Sequence, residues 1–160
     1  MSFDLYLIRL ENGEPVQPDR SAILEVFRRY PNVDADGSSF YDVSFDDGSH
    51  VQLFAKGLET DEELNICTFY LRNFTFPIMR FIYDVAVAGD MMVMNPQGQG
   101  TEDSPAALIV NEAQRQHLWA DPGHVQLLTS AQDLGRALGG DVSGWQAYRD
   151  QVVGDNQKDK

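Results

Sequence analysis

Apolar and polar positions along the chain change period several times, and each change marks an element. Phe3, Leu5 and Leu7 alternate with Tyr6, Ile8 and Leu10, so residues 3–10 are apolar on both faces and predict an interior strand. Asn12-Gly13 marks a turn. After it Ile23, Leu24, Val26, Phe27 and Tyr30 recur at helical spacing, behind Asp19 or Ser21 as cap and ahead of Pro31 as stop.

Two alternating runs, Phe40 to Phe45 and His50 to Ala55, flank Asp46-Asp47-Gly48-Ser49, whose Asp-Gly step supplies the positive φ of a tight hairpin. Tyr41, Val43 and Phe45 then face the same way as Val51, Leu53 and Ala55. Leu64 to Leu71 predicts a third strand of the meander, and Thr75 to Ala88 a helix with Pro77 in its first turn and Gly89 at its end. Met91 to Met94 reads as a short strand. Residues 95–104 carry turn formers and no large apolar side chain, which predicts a flexible surface loop.

The last third repeats one pattern twice, strand-like Ala107 to Val110 into Asn111-Glu112-Ala113-Gln114, and Val125 to Leu128 into Thr129-Ser130-Ala131-Gln132-Asp133. The two units are too short and dissimilar to be a sequence repeat. Ser143 can cap a final helix carrying Trp145, Tyr148 and Val152. Together these elements predict an α+β fold, a single mostly antiparallel sheet of five to seven strands with helices packed on it. One domain is expected over residues 1–153, with a disordered polar tail at 154–160.

Composition supports a packed core: 42% of the 160 residues are hydrophobic, and nine Phe, six Tyr and two Trp are present. No run approaches the roughly eighteen apolar residues of a membrane span, and the opening Met1 to Tyr6 has no basic and apolar leader pattern. A cytoplasmic protein is expected, and the single Cys67 fits a reducing compartment.

Charge changes the picture more. The net charge of −13 repels nucleic acid and anionic lipid and attracts basic surfaces. Nine acids (Asp34, Asp36, Asp42, Asp46, Asp47, Glu59, Asp61, Glu62 and Glu63) stand against Lys56 between residues 34 and 63. Solubility alone explains many acidic surfaces. The clustering points instead to a basic protein partner, with Asp42, Asp46, Asp47, Glu59, Asp61, Glu62 and Glu63 as the candidate contact residues.

Candidate chemistry is sparse. Asn32-Val33-Asp34-Ala35-Asp36-Gly37 imitates the first half of a calcium loop, but Val43 stands where the bidentate Glu belongs, and Asx turns explain the same residues. His117, Asp121 and His124 form the one metal or acid-base trio available to a small hydrolase, at the spacing of no established motif. Surface or capping roles explain the same histidines, and His50 lies at the hairpin mouth. Cys67 sits in an apolar strand, where a thiol is a small buried hydrophobe. Gly98 and Gly100 precede neither a lysine nor a capped helix, so they form no phosphate cradle. Trp119 and Trp145 suit core anchors, or interface residues if exposed. No cofactor motif is present.

The opening Phe3-Asp4-Leu5-Tyr6-Leu7, the hairpin with Phe45-Asp46-Asp47-Gly48 and the run from Val125 to Leu138 resemble the small acidic immunity proteins encoded beside bacterial polymorphic or type VI secreted toxins. The resemblance implies a cytosolic inhibitor that binds a cognate toxin domain with a basic active-site surface. It carries no residue roles. The alternatives are the dispersed-residue hydrolase and a scaffold or regulatory module, the latter open to homodimer formation.

Overall fold

The computed structural model of the protein describes residues 3–138. The expected helix at Ser143 with Trp145, Tyr148 and Val152, and the polar tail, lie outside the described residues.

The first strand, β1 (Phe3–Glu11), runs into β2 (Glu14–Val16) through Asn12 and Gly13, both at positive φ as a two-residue hairpin turn demands. Helix α1 (Arg20–Arg28) follows. Of its two candidate caps Asp19 serves, its Oδ1 accepting from the Ala22 N–H at 3.1 Å. Next come β3 (Val33–Ala35), β4 (Phe40–Ser44), β5 (His50–Phe54) and β6 (Cys67–Leu71). Helix α2 (Phe76–Gly89) starts at Thr75 with Pro77 in its first turn and is closed by Asp90 in the left-handed conformation. Beyond it lie β7 (Met92–Met94), β8 (Ala107–Ile109), a 3₁₀ helix (Glu112–His117), β9 (Val125–Leu127) and α3 (Ala131–Leu138).

The described strands form one sheet in the order β3-β4-β5-β6-β1-β7-β8-β9, with β2 paired to the far end of β1; among them only the β8–β9 pair is parallel. The fold is α+β with a mostly antiparallel sheet. Its nine strands exceed the five to seven read from the sequence, because β2 and β3 have three residues each and, in Glu14-Pro15-Val16 and Val33-Asp34-Ala35, too little alternation to register as strands. The third strand of the meander also starts late. Leu64 is buried but outside the ladder, its N–H donated to the Gln17 side chain at 2.9 Å, and pairing begins at Cys67.

The three α-helices among the described residues cover one face of the sheet. Leu5, Leu7, Val43, Val51, Leu53, Phe69 and Val93 project into them and meet Ile23, Val26, Ile78, Phe81, Ile82 and Leu134 in one continuous core. Phe81 of α2 is its aromatic hub, with ring centres of Tyr30, Phe27, Phe69 and Phe45 at 4.8, 5.4, 6.1 and 6.2 Å. Gly89 lets α2 pack tightly on Met91 and on Ile23 of α1, since a Cβ there would lie 2.7 Å from the Met91 Cε and 3.0 Å from the Ile23 Cδ1.

The opposite face is covered at one end. Ile8, Met92, Ala107 and Ile109 form a second, smaller core closed by Leu118 and Trp119 after the 3₁₀ helix. Over β4, β5 and β6 no described element lies on that face.

Candidate functional site

Topology scatters the acidic segment. Asp46 and Asp47 sit at the β4–β5 turn, whereas Glu59, Asp61, Glu62 and Glu63 lie on the connection from β5 to β6, at the other end of five-residue strands about 17 Å long. Asp34 and Asp42 lie between, on the sheet itself. The seven candidate contact residues therefore occupy three places.

Each place is ordered by specific bonds. At the turn Gly48 takes the positive φ, and Asp47 accepts from the Ser49 N–H at 2.9 Å and from the Ser49 hydroxyl, which also meets the Thr75 hydroxyl at 3.0 Å. At the other end Arg20 reaches from α1 to donate to the carbonyls of Gly57, at 2.7 Å, and Thr60, folding the connection back on itself. Gly57 is needed there, because its φ is +92° and a Cβ would stand 2.7 Å from the Glu63 carbonyl oxygen. Glu59 accepts from the Tyr41 hydroxyl at 2.6 Å; burial, with Glu59 beside it, pushes the phenol well above its ordinary range.

The calcium-like segment is built otherwise. Val33-Asp34-Ala35 is β3, paired with Val43, Asp42 and Tyr41, so Asp34 is a strand residue. Asp36 closes an Asx turn, accepting from the Ser38 N–H at 2.8 Å and its hydroxyl at 2.6 Å, bonds that hold its carboxyl below the usual range.

His117, Asp121 and His124 have separate tasks. The His117 Nδ1 accepts from the Asn12 N–H at 3.3 Å and its carbonyl from the Gly13 N–H at 2.8 Å, fastening the β1–β2 turn to the 3₁₀ helix. His124 donates its N–H to the Gly100 carbonyl at 2.9 Å, and Asp121 adopts a left-handed turn conformation. Among the described residues no three His, Cys, Asp or Glu side chains gather as a metal site would require. The thiol of Cys67 is buried in the core, and burial pushes it up to about 12, far from a thiolate nucleophile.

The loop at 95–104 lies on the surface but is tightly organised instead of free. The N–H groups of Gln99 and Gly100 both reach the Ser104 carbonyl at 2.9 Å, and Gly98 packs so closely on Pro105 that a Cβ would lie 2.3 Å from its carbonyl oxygen. From this loop the Gln97 amide makes two 3.0 Å bonds to the backbone of Asp4, extending the ladder beside β1. At the other end of β1, a cleft of about 300 Å³ separates that strand from the 3₁₀ helix. Its central carboxylate, Asp90, accepts from Asn111 at 2.9 Å and Gln114 at 3.1 Å, and so binds the 3₁₀ helix to the end of α2.

What the structure does assemble is the open face over β4, β5, β6 and the start of β1. Pairing aligns Phe40, Phe54, Thr68 and Tyr6 as one row across four strands. The next row, two residues along each strand and about 6.8 Å away, contains Asp34, Asp42, Gln52, Tyr70 and Asp4. Phe40 packs on Phe54 with ring centres 4.9 Å apart and lies 6.5 Å from Tyr70. Burial, then Asp4 and Tyr6, raise the Tyr70 phenol, which places these groups together. Asp42 meets His50 at 3.4 Å, both side chains remaining more than half exposed.

Of the seven candidate contact residues only Asp42 belongs to this face, and its aromatic members were not singled out. Their signal was present: Phe40 and Phe54 are large apolar residues at positions that alternate with the core-facing Tyr41, Val43, Val51 and Leu53.

No protein-family model, curated protein or solved structure matches the chain at a significant level. Among the described residues no helix is long and apolar enough to cross a membrane.

Proposed function

We propose that this is a non-catalytic binding protein whose working surface is the open sheet face, and that its partner is a basic protein surface. One observation carries the reading: the half-buried rings of Phe40 and Phe54 lie one row away from the adjacent carboxylates Asp34 and Asp42, with Tyr70 in that second row, on the part of the face that no described element covers. Aromatic rings fixed by a sheet supply contact area at low entropic cost, and flanking carboxylates favour cationic partners and speed their approach. The acids at the hairpin turn and on the 59–63 connection act at longer range, as part of the field that steers association.

The resemblance to immunity proteins makes a toxin domain the partner class, and an anionic, rigid face suits the basic cleft of a toxin that handles nucleotides or nucleic acid. The decisive experiment pairs the protein with the product of the adjacent gene, measuring affinity and neutralisation. Replacement of Phe40 and Phe54 by Thr, which keeps strand propensity, should weaken binding at least tenfold. Amides at Asp61, Glu62 and Glu63 should mainly slow association and flatten its salt dependence. Binding indifferent to the Thr pair, or no binding and no neutralisation by any neighbouring product, would overturn the proposal.

A further inference from the structure

The two rows on the open face differ in chemistry, and side by side they suit a cation that can both stack on rings and bond to carboxylates. Asp34 and Asp42 stand directly opposite each other on neighbouring strands, a like-charge pair that destabilises a sheet when nothing lies between. His50 touches Asp42, while Asp34 makes no ion pair among the described residues. One step along the strands, the Phe40 ring packs on that of Phe54 and lies 6.5 Å from that of Tyr70, which stands in the row of Asp34 and Asp42, with Gln52 opposite both Asp42 and Tyr70. A cation over the rings thus lies within reach of carboxylates whose repulsion it relieves.

Resting on the assignment of this face as the partner-binding surface, we propose that it holds an arginine side chain of the partner, its guanidinium plane stacked on the Phe40 ring beside Phe54 and Tyr70 and its N–H edge turned to Asp42 and Asp34. Arginine suits the arrangement better than lysine for three reasons. A guanidinium is planar and stacks on rings; it is weakly hydrated, so leaving water is easier; and its fork of donors reaches sideways from the stacked plane to a carboxylate. An ammonium is a compact, strongly hydrated point charge that cannot serve both rows at once.

The test uses the full chain and defined probes. Three hexapeptides alternate Leu with Arg, with Lys, or with citrulline, which keeps the planar shape of arginine without its charge. Binding is followed by NMR titration of the backbone and ring resonances of Phe40, Phe54 and Tyr70. The expected result is shifts centred on those rings, with the arginine peptide about fivefold tighter than the lysine peptide and tighter still than the citrulline one. Conversion of Asp34 and Asp42 to Asn should erase the preference for arginine over citrulline while leaving the folded spectrum intact. Equal binding of arginine and lysine peptides on the face would overturn the arginine assignment and leave the face as the binding surface. No shift on the face with any peptide, or contacts from residues 139–160 to the three rings, would overturn both.

Discussion

Replacing Phe81 by Ala removes the side chain through which α1, α2 and the sheet meet. Phe81 is fully buried and touches the rings of Phe27, Tyr30, Phe45 and Phe69. A buried Phe→Ala change costs about 3–5 kcal/mol through lost transfer free energy and the cavity left behind. The upper part of that range applies here, because β4, β5 and β6 hold Phe45 and Phe69 in place and prevent collapse into the space. With about 2–4 °C lost per kcal/mol for a chain of this size, a 4 kcal/mol change lowers Tm by roughly 8–16 °C. Phe81→Leu fills most of the volume and loses chiefly the ring contacts, so about 1–2 kcal/mol is expected. Phe76→Ala, on the same helix at a side chain 50% exposed, serves as the control and should cost under about 0.5 kcal/mol. Urea unfolding followed by far-UV and near-UV circular dichroism measures all three, and the near-UV signal reports the aromatic cluster directly. Equal costs for Ala and Leu at position 81, or a loss below about 1.5 kcal/mol for Ala, would refute the view of this ring as the hub.

Cys67 should resist thiol reagents at pH 8 in the native protein and react fully in urea, because burial both excludes the reagent and suppresses the thiolate; rapid native labelling would contradict its placement. Arg20→Ala should release the 57–64 connection, raising amide exchange there and costing about 1–2 kcal/mol for bonds whose carbonyls water can partly replace; unchanged exchange would remove Arg20 as the clamp. Burial, with Asp84 beside it, pushes the Tyr30 phenol up to about 12. Since the native value lies above the ordinary one of 10.0, its contribution is complete below pH 10 and is lost as pH rises from 10 to about 12, where the unfolded chain alone is ionised. Urea midpoints for wild type and Tyr30→Phe across pH 9–12 should diverge least at the alkaline end, and a constant gap would refute this.

The amino-acid sequence was enough for features set by neighbours along the chain. The alternation of Phe40 to Ala55 and the Asp-Gly step defined the hairpin; helical spacing with Asp19, Thr75 and Asn111 placed helix starts; and Phe3 to Leu10, apolar on both faces, announced the strand that lies between β6 and β7. These signals are local because backbone geometry and side-chain period are local. Even the 3₁₀ form of residues 112–117 departs from that reading only in its tighter winding.

Tertiary structure decided everything that depends on which distant strands pair. Nine acids close in sequence were separated because a hairpin carries its turn and its following connection to opposite ends of the sheet. Phe40, Phe54, Tyr70 and Tyr6, by contrast, became one surface through the registers of β4 with β5, β5 with β6 and β6 with β1, which bring together residues up to 64 positions apart. His117 and His124, close along the chain, were taken by the Asn12-Gly13 turn and by Gly100. Period predicts which way a side chain points relative to its strand. Only the packing of the three described helices on one side, against a smaller cover of Leu118 and Trp119 on the other, determines which of those directions ends in core and which ends on an open face.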